Sequence, residues 1–245
     1  MPELLKGVDF IFHQAAQAGV RSSWGKEFKI YTDLNLVSTQ LLLEACKTSE
    51  IKRFIYASSS SVYGDSEELP LAEESALKPV SPYGVTKLAG EHLCSTYCKN
   101  YNIPTISLRY FTVYGPRQRP DMAFHKFMRA LLEDNEIDIY GDGLQTRDFT
   151  YISDAVTGNL LAMKNTSIGE VFNIGGGSRV TVNDVLDTLH KITLRDPKVV
   201  YREVQKGDVR HTLAETSKAI STLGYSPQID LKAGLQKQWE WIQTL

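Results

Sequence analysis

The sequence predicts an α/β fold in which a parallel sheet flanked by helices is followed by a smaller α+β region. Three observations carry this. Short apolar runs that read as buried strands alternate with longer segments of helical spacing, the pattern of βαβ units. After Gly115-Pro116 the composition shifts to loops rich in Arg, Pro, Asp and Gly between short elements. A late run, Val171-Phe172-Asn173-Ile174, looks like one more strand of the first sheet. A boundary is therefore expected near residue 113. It divides residues 1–113 from a region 114–245 that would cap the carboxyl ends of the strands, where open α/β sheets bind ligands.

The elements follow in order. Val8-Asp9-Phe10-Ile11-Phe12 reads as the first buried strand, ending at His13 and the small-residue loop Ala15-Ala16-Gln17-Ala18-Gly19. Residues 31–47 have helical spacing through Leu34, Val37, Leu41, Leu42 and Ala45. Arg53-Phe54-Ile55-Tyr56-Ala57 is a second buried strand, followed by the serine run Ser58 to Ser61. Residues 82–100 are helical, with Ser81 suited to the N-cap and Pro82 to the first turn. Thr105 to Tyr110 is a third strand. Gly175-Gly176-Gly177 lacks G-x-G-x-x-G spacing, so a tight turn is expected there rather than a phosphate cradle. Thr181 with Asp184 has the form of a capping box opening a helix.

Composition excludes several classes. Of the 245 residues 42% are hydrophobic, enough for a real core. A formal charge of -2 gives no argument for nucleic acid or an anionic membrane as partner. No apolar run approaches the ~20 residues of a membrane span, and MPELLKGVDFIF has none of the features of a secretory signal. Cys46, Cys94 and Cys98 form no C-x-x-C pair and read as reduced, mostly buried thiols of a cytoplasmic protein. His13 and His125 read as structural, and no spacing suggests a metal.

Residues 81–87 read SPYGVTK. Tyr83 falls in the first helical turn and Lys87 lies at i+4 on the same face. A free tyrosine titrates near ~10, and a nearby cation favours its phenolate. A hydroxyl from the serine run could steady a substrate oxygen, which suits proton exchange with a substrate hydroxyl. The heptapeptide alone is a weak signal. It equally suits a half-buried helix tyrosine and a solvated lysine.

The chain resembles the extended short-chain dehydrogenase/reductase family, in its nucleotide-sugar epimerase and dehydratase branch. The similar segments are FIFHQAAQAGV (10–20), ASSSSVYG (57–64), SPYGVTK (81–87), LRYFTVYGPRQRPDMA (108–123), YGDGLQTRDFTYISD (140–154), FNIGGG (172–177) and GDVRHT (207–212), in the family's order. The resemblance implies a Rossmann-type sheet over residues 1–113, NAD as cofactor and a nucleotide-sugar substrate held mainly by 114–245. Tyr83 would be the general base. Lys87 would lower its pKa and hold the nicotinamide ribose, and Ser59 would be the helper hydroxyl. Ala15 and Ala16 would line the dinucleotide pocket, Asn35 would be the family's structural asparagine, and Phe111 would pack near the nicotinamide. Thr112 would lie at the substrate, Arg147 and Arg210 would meet the UDP diphosphate, and Asp208 the uridine ribose.

The family's dehydratases place Asp and Glu directly after the helper hydroxyl, and its decarboxylases keep a Glu two residues after it. Here those positions are Ser60 and Ser61, which favours 4-epimerisation through a 4-keto sugar. RQRPDMA resembles the loop of UDP-glucuronate 4-epimerases, so Arg119 would meet a C6 carboxylate. A loop arginine tied to Asp121 is the other reading, and UDP-glucose or its N-acetyl form stays open as substrate. Alternatives to an epimerase are a non-catalytic nucleotide-sugar-binding or interaction protein and a dehydratase or decarboxylase. A homodimer is implied through helices near 33–47 and 82–100, with Leu41, Leu88 and Tyr97 among the contacts. The family opens with a strand and a G-x-x-G-x-x-G turn, whereas this sequence opens near the family's fourth strand. The expectation is therefore an N-terminally incomplete sheet with a sticky 8–12 edge, no tightly held NAD, and no epimerase activity without added N-terminal sequence.

Overall fold

The computed structural model describes residues 2–245. A 3-10 turn (Pro2–Leu5) leads into strand β1 (Phe10–His13). One continuous helical rod follows as α1 (Phe28–Tyr31), a π-helical stretch (Thr32–Val37) and α2 (Ser38–Cys46). Strand β2 (Arg53–Ser59), helix α3 (Pro82–Tyr101) and strand β3 (Thr105–Tyr110) come next. The remaining elements are β4 (Thr112–Tyr114), α4 (Ala123–Glu133), β5 (Glu136–Tyr140), β6 (Thr146–Tyr151), α5 (Ile152–Lys164), β7 (Glu170–Ile174), β8 (Arg179–Thr181), α6 (Val182–Thr193), β9 (Lys198–Arg202), α7 (Ser217–Leu223) and α8 (Leu231–Ile242).

The main sheet is parallel, in the order β1-β2-β3-β7, with Phe10 opposite Arg53, Ile55 opposite Ile106, and Leu108 opposite Phe172. Strands β2 and β3 are buried on both faces, as a parallel sheet covered by helices requires. The strand period of two sends Phe54 and Tyr56 to one face, where they pack with Leu43, Cys94 and Tyr97. Ile55 goes to the other face, against Ile106, Phe172 and Ala162 of α5. A separate core of Phe124, Met128, Phe149, Leu189 and Trp239 holds the C-terminal elements together. Each such side chain contributes roughly 1.5–3 kcal/mol by leaving water. The capping box at Thr181 and Asp184 is formed. Among the described residues no helix is long and apolar enough to cross a membrane.

The helical spacing of residues 31–47 is borne out, but not the face it implies. Leu34, Val37 and Leu41 are 46–50% exposed, while Tyr31, Asn35, Thr39 and Leu43 are buried. Polar bonds join the apolar contacts of Leu43 in pinning the buried side. Thr39 Oγ1 donates to the Asn35 carbonyl at 2.7 Å and pairs with His13 Nε2 at 2.7 Å.

His13, buried against Phe54 and Tyr56, has its pKa lowered to about 4 by burial and by the Lys87 charge. The folded protein thus resists a proton that the unfolded chain takes up near 6.5. The stability held by neutral His13 is complete above pH ~6.5 and is lost as pH falls toward ~4. At about 1.4 kcal/mol per pH unit between these values, the loss is at most roughly 3–4 kcal/mol. We expect chemical-denaturation midpoints to fall over this pH range and His13→Gln to flatten the fall. An unchanged slope in His13→Gln would contradict the assignment.

Candidate active site

The site grows from the carboxyl end of β2 and the first turns of α3. Ser81 caps α3, its Oγ accepting from Gly84 N at 3.1 Å, with Pro82 following. Two glycines let the helix ride close to the strand. A Cβ on Gly84 would stand 2.5 Å from the Ser61 carbonyl oxygen, and one on Gly90 would stand 2.0 Å from the Tyr56 hydroxyl. Ser59 ends β2, its Oγ accepting from Ser61 N at 3.1 Å.

Ala57, Ser58 and Ser59 each meet a different turn of α3. Lys87 Nζ donates to the Ala57 carbonyl at 2.8 Å. Ser58 Oγ donates to the Glu91 carboxylate. Ser59 Oγ donates to Ser61 Oγ at 3.2 Å, and Ser59 is near enough to the Tyr83 phenol to favour its phenolate. Lys87 is only 4% exposed, and burial pulls its pKa down to about 8, still above neutrality. Its Nζ lies 5.9 Å from the Tyr83 ring centroid. The half-buried Tyr83 phenol has its pKa raised by burial, opposed by the Ser59 hydrogen bond and the Arg119 charge. This corrects the expectation that Lys87 draws the phenol down. In this geometry Lys87 is turned to the Ala57 carbonyl, the opposing cation is Arg119, and desolvation outweighs it.

Asn35 is buried in the π-helical stretch. Its Oδ1 accepts from Gln17 N at 2.7 Å, and its Nδ2 donates to the Gln17 carbonyl and to Thr86 Oγ1, both at 3.0 Å. It therefore ties the loop carrying Ala15 and Ala16 to α3 beside Lys87. Its side chain is spent on protein partners. Ala15 is exposed and Ala16 half-exposed beyond β1. Phe111 departs from expectation. It is 0% exposed, packed with Val62, Tyr63, Leu71 and Ala214, so its ring supports the site from within the core. Thr112 is half-buried on β4, opposite Phe149.

The basic residues expected at the substrate all have protein partners. Arg119 forks onto Asp121 through Nε and Nη2, both at 2.9 Å, while its charge also reaches Tyr83. Arg147 donates to the carbonyls of Thr146 (2.8 Å), Val209 (2.7 Å) and Arg210 (3.1 Å), so it anchors the segment that carries Arg210. Arg210 pairs with Asp142 at 2.8 Å, and its backbone N–H donates to Asp65 at 2.7 Å. Asp208 accepts a fork from Arg21 Nε (3.2 Å) and Nη2 (2.7 Å).

Arg21 is a site residue that sequence reasoning missed. It sits two positions beyond the small-residue loop, stacks 4.2 Å over the Tyr140 ring, and joins the loop after β1 to the 203–210 segment. Glu91 and Arg109 were missed as well. Glu91 recurs at i+4 from Lys87 and i+8 from Tyr83, a spacing that could have flagged it.

Residues 1–175 match the model of the NAD dependent epimerase/dehydratase family. The chain is 46% identical over 246 residues to the uncharacterized UDP-glucose epimerase YtcB of Bacillus subtilis (strain 168), covering 100% of this chain and 78% of that one. It is 37% identical over 236 residues to a UDP-glucuronate 4-epimerase of Thermodesulfobacterium geofontis, covering 96% and 72%. The crystal structure of UDP-glucuronic acid 4-epimerase from Bacillus cereus, in complex with UDP-glucuronic acid and NAD, matches with a TM-score of 0.97 at 46% identity. That match covers 99% of this chain and 78% of that chain. The chain belongs to the NAD-dependent epimerase/dehydratase family.

Proposed function

We propose that this protein epimerises a UDP-sugar at C4 through a 4-keto intermediate with NAD as cofactor, and that UDP-glucuronate is its favoured substrate. The observation that carries this is the half-buried Tyr83 phenol, faced by the Ser59 hydroxyl and the Arg119 charge, with serines at 60 and 61 beside it. The 4-epimerases among its relatives, one of them holding UDP-glucuronic acid and NAD, support the same reading.

Lys87 fits the ribose of the cofactor. Lys87 is a buried ammonium with three donors, and its one hydrogen bond goes to the Ala57 carbonyl, which leaves donors suited to a ribose diol. NAD, when bound, supplies the hydride acceptor and donor. Tyr83 takes the proton of the 4-hydroxyl while Ser59 hydrogen-bonds the same oxygen. Burial alone holds the phenol neutral. The Ser59 hydroxyl and the Arg119 charge favour the phenolate that accepts this proton. Tyr83 returns the proton once the sugar presents its other face. Ser60 and Ser61 supply no carboxylate to attack C5 or to protonate a leaving hydroxyl, so the sugar leaves with its C6 group intact.

At the other end of the ligand, phosphate would draw the Arg210 fork from Asp142, and ribose hydroxyls would take the Asp208 carboxylate from Arg21. Arg119 would exchange Asp121 for the C6 carboxylate.

A homodimer through α1, α2 and α3 is part of this proposal. Ile30, Leu34, Val37 and Leu41 form an exposed apolar row on the α1–α2 rod, with Val85 exposed on α3. A two-fold contact would cover this row on both copies. Two contacts expected from sequence drop out. Tyr97 is buried in its own chain and donates to Glu44, and Leu88 packs against the Val62 cluster.

Tyr83→Phe is expected to lower turnover of UDP-glucuronate by at least about a hundredfold, the scale of general-base catalysis. UDP affinity measured by calorimetry should change little. An active Tyr83→Phe enzyme would refute the role. Arg119→Ala should narrow the preference for UDP-glucuronate over UDP-glucose by about ten- to a hundredfold, as loss of a charge-assisted bond worth ~1.5–3 kcal/mol predicts. Equal use of both sugars by the unmutated enzyme would reject it. Sedimentation should find a dimer at micromolar concentration that Leu34→Asp converts to monomer. A native monomer would exclude the interface.

A further inference from the structure

Helix α3 cannot be placed along β2 by apolar packing alone. Its buried positions are Gly84, Thr86, Lys87, Gly90, Glu91, Cys94 and Tyr97, mostly small or polar. Glycines permit close approach but do not fix how far the helix slides along the strand. The buried charges do. Glu91 is 5% and Arg109 3% exposed. Arg109 donates to Glu91 from Nε at 2.9 Å and from Nη2 at 2.8 Å, and its Nη1 donates to the Tyr63 hydroxyl at 2.8 Å. Tyr63 in turn donates to Asn173 Oδ1 at 2.7 Å on β7. The same Glu91 carboxylate accepts from Ser58, whose neighbour in the parallel register is Arg109 and whose next residue is Ser59.

We propose that Glu91, gripped by the Arg109 fork and the Ser58 hydroxyl, is a positioning residue that sets the register of α3 against β2 and thereby the spacing between Ser59 and the Tyr83 phenol. The proposal rests on the reading of Tyr83 and Ser59 as the reacting pair. Glu91 lies two helical turns from Tyr83 and touches no substrate. It acts by tying the residue before Ser59 to the helix that carries Tyr83. A slide of about 1 Å would cost reactivity while leaving the distant nucleotide contacts in place.

The test compares Ser58→Ala, Glu91→Gln and Tyr83→Phe in the full chain, assayed with NAD and UDP-glucuronate. Ser58→Ala and Glu91→Gln should each lower kcat by about ten- to a hundredfold with KM within about twofold. A second readout is independent of turnover. With 3-fluorotyrosine at position 83, the ¹⁹F titration should move to higher pH in Ser58→Ala, because Ser59, which favours the phenolate, is no longer held at its present spacing; Arg119 and Tyr31, the other groups acting on the phenol, are unchanged. If Glu91→Gln does not fold, Ser58→Ala, which keeps both charges paired, decides alone. Normal kcat and an unmoved titration in Ser58→Ala, alongside an inactive Tyr83→Phe, would overturn the proposal. An active Tyr83→Phe would instead overturn the reading beneath it.

Discussion

Everything at the site depends on the stitch between the last three residues of β2 and helix α3. Ala57 accepts from Lys87, Ser58 donates to Glu91, and Ser59 faces Tyr83. Residues 57 to 59 span about 6.6 Å of strand and residues 83 to 91 about 12 Å of helix, so the side chains bridge the difference. The stitch is polar and buried, which makes it costly to form and costly to break. Desolvating Glu91 and Arg109 offsets much of their attraction, yet removing one partner would strand the other at about 3–5 kcal/mol. Such a pair adds little to stability over a well-packed apolar pair. Its value lies in holding one geometry.

A second constraint joins the two halves of the chain. Strand β7 returns to pair with β3, and Asn173 within it accepts from Tyr63 while donating to the carbonyls of Leu71 and Glu215. The C-terminal elements are thus referenced to the same buried network that holds α3. At the surface above it, Arg21, Arg147 and Arg210 are matched by Asp208, Asp142 and backbone carbonyls. The two ion pairs, Arg21–Asp208 and Arg210–Asp142, are partly exposed and each worth about 0–1 kcal/mol. A diphosphate or a ribose can replace them at small cost, whereas the buried network stays fixed.

How much of this was legible in the sequence depended on how local each feature is. Strands β2 and β3 announced themselves as short apolar runs, and α3 through Ser81, Pro82 and its helical spacing. The capping box at Thr181 is a four-residue pattern and needs no tertiary context. Leu34, Val37 and Leu41 show the limit of periodicity. They mark a helix, but Asn35 and Thr39 won the inward face because His13, Gln17 and Thr86, remote in sequence, offer them hydrogen bonds. Phe111 was misplaced for a similar reason, since only the fold reveals Tyr63 and Leu71 closing over it. The Glu91–Arg109 pair spans 18 residues and two elements; the helical spacing from Tyr83 and Lys87 marks Glu91, but nothing local names Arg109 as its partner.

The central claim is that chemistry is confined to C4, because Tyr83 and Ser59 address the 4-hydroxyl and Ser60 and Ser61 offer no base for C5. The most direct measurement follows hydrogen isotopes in the product. UDP-glucuronate carrying deuterium at C4 is incubated with the protein and NAD in ordinary water, and unlabelled substrate is incubated in D₂O. The account predicts the 4-epimer with its C4 deuterium retained and no solvent deuterium at C5. Loss of the C4 label to solvent, uptake of deuterium at C5, or release of carbon dioxide would contradict it.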